Sequence, residues 1–188
     1  MNFSDADAYT RAYAKDRSLA IVPVPMAADL FGITSAGIVA RVRNGTLQEI
    51  RVAGTRYVTM ESVLDSVSRT DRDVDIVKAF LEQQARSGVE SIDYAPVMGL
   101  LGLSSKISAD RTKIGWILGA VSRRSFQEKG VLLSVLVHRK NTRMPSEKGF
   151  FGLVDNLIED WEDRHGDRES FVEAEIKRVL KKYRKRDK

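Results

Sequence analysis

Arginine and lysine side chains, interleaved with one outward tryptophan, carry most of the chemistry this chain can offer. Arg41, Arg43 and Asn44 fall close together, with Arg56 a little further on. Guanidinium groups grip phosphate or read a guanine edge, and a carboxamide can bond a base edge, although arginines hold phosphate more often than they read sequence. A second set, Lys113, Trp116, Arg123 and Arg124, has the spacing of a single helix, and Arg139, Lys140, Arg143 and Lys148 form a third. An indole among cations can stack on a base; packing under the C-terminal segment or in a dimer seam is the other use of Trp116.

Other chemistries find less support. The 188 residues include no cysteine, which excludes disulfides, thiolate metal sites and cysteine nucleophiles. Only His138 and His165 are available for histidine chemistry, and His138 reads as a strand residue. No Gly-rich phosphate loop, HExxH or GxSxG occurs. The carboxylates Asp155, Glu159, Asp160, Glu162 and Asp163 spread along one expected helix as a solvated face rather than converging. No enzyme, cofactor or metal is expected. The apolar runs are far shorter than the roughly 20 residues that span a bilayer, and the N-terminus has no signal-peptide pattern, so a cytoplasmic protein without membrane contact is expected.

Charge is uneven. The net +5 resolves into +7 over residues 101–148, with 10 basic and 3 acidic residues, and −5 over 149–170, with 2 and 7. Residues 1–69 carry only +1, from 8 basic and 7 acidic. A basic block inside a folded region is the footprint of a polyphosphate binder, and also that of an ordinary solvated surface.

The elements that must position these groups follow from spacing. Ser4 can cap a helix to about Arg17, with Tyr9 and Tyr13 one turn apart. Pro23 and Pro25 forbid a central strand and suit a helix start. A helix over 26–31, a turn at Gly32, a helix over 35–44 closed by Gly45, and an alternating hairpin over 47–59 turning at Ala53 and Gly54 follow. On the second helix Ser35, Ile38, Val39 and Val42 should be buried, leaving Ala36, Gly37, Ala40, Arg43 and Asn44 outward and Arg41 at the flank. A short helix over 60–67 and a polar connector over 68–73 mark the best domain boundary.

Ala27, Ala28, Asp29, Leu30, Phe31, Gly32, Ile33 and Thr34, then Ile38, Val39, Arg41, Asn44, Gly45 and Leu47, then Gly54, Arg56 and 60–63 resemble the small winged helix of excisionases and MerR-type regulators. The resemblance covers about residues 22–65. It implies that the second helix enters a DNA major groove while the hairpin contacts the adjacent backbone. The sequence departs from that pattern in the small residues at the centre of the helix face.

Residues 100–105 echo residues 30–35, which suggests a second unit of the same kind. A helix from Asp110 to about Gln127 would bury Ile114, Ile117, Leu118 and Val121 and turn Trp116 and Arg123 outward, with Lys113 and Arg124 flanking. A strand over 131–139, a basic wing over 140–148 and a return strand over 149–153 would complete it. Phe151, Val154, Leu157, Ile158 and Trp161 then read as one helix, and Phe171 to Tyr183 as the stripe of a last one. That helix ends in a basic tail that is either a backbone-binding arm or a frayed terminus.

The expected fold is mainly α with small β-hairpin wings: tandem winged helix-turn-helix units over 1–69 and 70–153, plus C-terminal helices over 154–188. The expected function is sequence-selective or architectural duplex DNA binding, as a transcriptional regulator or a recombination accessory of a bacterium or mobile element. A protein-interaction adaptor is the alternative, with Trp116 or the C-terminal helices holding a homodimer or a protein partner, and the same basic surface would serve RNA.

Overall fold

A glycine with positive φ closes each helix whose end sets up the candidate face. In the computed structural model, which describes residues 1–140 and 142–184, the chain is mainly helical and divides into two units, Met1–Asp71 and Arg72–Lys188.

Unit one opens with β1 (Asn2–Phe3) and α1 (Ala6–Lys15). The cap is Asp5 rather than Ser4: Asp5 accepts from the Ala8 N–H at 2.7 Å, and Ser4 Oγ donates to the Asp5 carboxylate. Helix α1 buries no residue fully; Phe3 meets Tyr9 edge-on at 5.6 Å between rings, and Tyr9 stacks on Tyr13 at 6.0 Å. Strand β2 (Ile21–Pro23) leads into α2 (Val24–Phe31), α3 (Ser35–Arg43), β3 (Glu49–Val52) and β4 (Thr55–Thr59). The sheet order is β1-β3-β4-β2, with β2 and β3 antiparallel to β4 and β1 parallel to β3. Val52 faces Thr55, so Ala53 and Gly54 form a two-residue turn, both with positive φ as the twist of a tight hairpin requires. Ala27, Ala28, Phe31, Ile38, Leu47, Val58 and Val63 form the core beneath α2, α3 and the sheet.

Helix α4 (Met60–Arg86) runs unbroken through the stretch expected to be a connector. Residues 68–73 are polar but contain neither Gly nor Pro, and polarity alone does not stop a helix. Thr70 Oγ1 donates to the Ser66 carbonyl one turn back, and Asp65 and Arg69 pair at i,i+4.

In unit two, β5 (Ile92–Asp93), α5 (Tyr94–Gly99) and α6 (Ser108–Lys129) precede β6 (Val137–His138), and α7 (Gly152–Leu157), α8 (Trp161–His165) and α9 (Arg168–Tyr183) follow it. The core joins Val77 and Leu81 of α4, Ile114, Ile117 and Val121 of α6, and Phe171 and Val179 of α9. The second hairpin wing expected here does not form. Residues 133–136 are a 3-10 helix, β6 pairs in parallel with β5, and Glu147–Phe151 is a π-helical turn running into α7. The reason lies in the backbone partners. Leu132 N–H is taken by Glu175, Leu133 N–H by Ser125 Oγ and Ser134 N–H by Ser122 Oγ, all side chains rather than a neighbouring strand. Consecutive Phe150 and Phe151 are both buried, which an alternating strand cannot achieve. The single helix expected over 151–161 is also broken, with Asp160 in the left-handed region before α8.

Gly32 (φ 60°) and Gly102 (φ 65°) end α2 and the α5 turn in the same way, with Ile33 N–H bonding Ala28 O and Leu103 N–H bonding Met98 O. No neighbour crowds either position, so backbone strain alone sets the cost of a side chain there. Gly32→Val and Gly102→Val should each lose about 1–3 kcal/mol in chemical denaturation. Parental midpoints in both would refute the strained turns.

Candidate nucleic-acid interface

Thr34 Oγ1 accepts from the Gly37 N–H at 3.2 Å and starts α3 at Ser35. From there the helical period buries Ile38 completely, half-buries Val39 and Val42, and leaves Ser35, Ala36, Ala40 and Arg43 exposed. The centre of the outer face is therefore small, as its sequence dictates.

The four groups expected to contact DNA from unit one have different freedom. Arg43 is exposed. Arg41 lies with its guanidinium 4.5 Å from the Phe31 ring centre, and burial pushes its pKa below the usual value. Asn44 is spent locally: its Oδ1 accepts from Thr46 N–H at 3.1 Å and from Thr46 Oγ1 at 2.6 Å, tying the turn after α3. Arg56 pairs with Glu49, which also holds Arg51 at 3.4 Å, so this hairpin triad keeps a net single positive charge.

In unit two, Lys113 and Arg124 are each held by a carboxylate of α4. Lys113 reaches Asp73 and Arg124 reaches Asp75, both at 2.7 Å. Sequence spacing alone carried no signal for these pairs, which join residues some 40 or more positions apart. Trp116 stands 41% exposed, and Arg123 is exposed with its guanidinium folded back over Gly119. Arg139, Lys140, Arg143 and Lys148 are also exposed, but they flank a turn closed by Arg139 N–H on Met144 O and the π-helical turn rather than a wing. Asn141, and Lys185 and Arg186 of the basic tail, lie outside the described residues.

Asp155, Glu159, Asp160, Glu162 and Asp163 are exposed, distributed over α7, α8 and the bend between them. Among the described residues no three acidic or histidine side chains gather as metal ligands, and no helix is long and apolar enough to cross a membrane. Comparison with models of protein families, with curated proteins and with solved structures found no match to this chain.

Proposed function

We propose that the chain binds duplex DNA through the outer face of α3 and the β3–β4 hairpin, as a transcriptional regulator or recombination accessory. The observation that carries this reading is the order and pairing of unit one. Helix, left-handed turn, helix and hairpin follow in order with β2 paired to β4, which supports the reading of this unit as a winged helix. Small residues on α3 allow close approach to a groove floor, Arg41 and Arg43 stand at its C-terminal end, and the hairpin supplies Arg51 and Arg56. In this arrangement arginines provide affinity by phosphate contact, while direct base reading is sparse because Asn44 is engaged with Thr46.

The experiment is a salt titration of binding to random duplex, single strand and RNA of equal length. Removing one phosphate contact should lower the log–log slope on duplex by about 0.9, so Arg41→Gln with Arg43→Gln should lower it by about 1.8. An unchanged slope in the folded double variant removes α3 from the interface. Absence of nucleic-acid affinity at low salt favours the second reading, a protein-docking surface. That reading draws on Met26 and Leu30, one turn apart on α2 and 61% and 60% exposed.

A further inference from the structure

We propose that Ser91 is a nucleophile served by His138 as its base, in a cleft of unit two that accepts neutral carboxylic esters with a short apolar acyl group. The parallel pairing of Ile92 with Val137 brings together two side chains 47 positions apart, and Ser91 Oγ lies 3.0 Å from His138 Nδ1.

The other ring nitrogen fixes the direction of that bond. His138 Nε2 is 2.8 Å from the Val135 carbonyl, which can only accept, so Nε2 carries the proton and Nδ1 presents its lone pair. Ser91 must therefore donate to Nδ1, the polarity a serine nucleophile needs. The ring is 2% exposed whereas Ser91 faces solvent, and burial pushes the imidazole pKa down, keeping it in the base form at neutral pH.

Both residues line an open cleft of about 350 Å3 with Arg143, whose φ of 48° is an uncommon backbone state for a residue other than glycine. Met144, Val172 and Ile176 give the cleft an apolar side. Glu90, Glu169 and Glu173 outweigh Arg143 and Lys177 there, which disfavours anionic phosphate esters and leaves neutral acyl groups. In the reaction Ser91 Oγ bonds to the ester carbonyl carbon as its proton passes to His138 Nδ1. Arg143, on the lining of the same cleft, supplies positive charge for the developing oxyanion. The C–O bond to the alcohol then breaks, the alcohol leaves with the proton from His138, and water hydrolyses the acyl-serine by the same path.

The test treats the full chain with a neutral fluorophosphonate ester. Attack by Ser91 forms an O–P bond and expels fluoride, and peptide mass spectrometry locates the adduct. Ser91 should react roughly 100-fold faster than Ser87 and Ser105, which are exposed. A folded His138→Gln variant should lose that advantage. If that variant does not fold, the comparison among serines of the parent remains decisive: equal rates, or no adduct on Ser91, overturn the proposal. Binding of DNA plays no part in the readout.

Discussion

Trp161→Ala is expected to lose about 3–5 kcal/mol of folding stability, the largest effect of any single truncation argued for this chain. Trp161 is 5% exposed and packs at 5.2 Å from Phe171 and 5.6 Å from Phe151, with its indole N–H donating to Asp155 Oδ1 at 2.9 Å. Truncation would open a cavity beside the Phe151 and Phe171 rings and remove the contact that holds short α8 against α9, so little local relaxation can close the gap. The chain has two tryptophans, which makes the claim separable by fluorescence. The Trp116→Phe variant should emit from a buried indole resistant to acrylamide, and Trp161→Phe from the exposed Trp116. Similar quenching of both, or a Trp161→Ala midpoint near the parent, would contradict this packing.

The contrast between the two tryptophans shows what the sequence could disclose. The stripe of Ile114, Ile117, Leu118 and Val121 predicts the buried face of α6 correctly and, by difference, the exposure of Trp116, because a helical period fixes both. The α2 turn at Gly32 and the Ala53–Gly54 hairpin were legible for the same reason, each being decided by neighbours a few positions away. The α3 stripe was legible only in part: Ile38 is buried and Val39 and Val42 half-buried, but Ser35, expected inside, sits in the first turn and is exposed.

The repeat in the second half misled because Gly88 with Val89 ends α4 by the same bonding pattern as Gly32 and Gly102. The echo of residues 30–35 in 100–105 is thus the generic chemistry of helix termination, not the signature of a repeated unit. The run Val131 to His138, buried at every position, has no period with which to separate strand from tight helix. Its conformation is settled by Ser122, Ser125 and Glu175, of which the last lies 43 positions beyond Leu132. The candidate interface suffered similarly. Arg56 could be placed on the hairpin from sequence, but its pairing with Glu49, and those of Lys113 and Arg124 with α4, depend on tertiary packing.

Glu175 is where that long-range control can be measured. Its carboxylate, 1% exposed on α9, accepts from Leu132 N–H and pairs with Arg178, both at 2.6 Å, while Arg178 donates to Gly130 O at 2.7 Å. One turn of α9 thereby satisfies both polar groups of the chain leaving α6. Glu175→Leu should cost about 3 kcal/mol, because it leaves the buried Leu132 N–H without an acceptor and Arg178 with only the Gly130 carbonyl. Glu175→Gln keeps an acceptor and should cost less. Burial pushes the Glu175 pKa above its ordinary 4.5, against the opposing pull of Leu132 N–H and Arg178. The folded state then holds this proton more tightly than the unfolded one. The contribution of Glu175 to stability is greatest below pH 4.5 and falls as pH rises from there through the raised folded value. Measured by urea denaturation across that range, the parent should lose ground to Glu175→Gln with rising pH. A parent that gains on the Gln variant instead would show that Arg178 outweighs burial and that the carboxylate is held ionised.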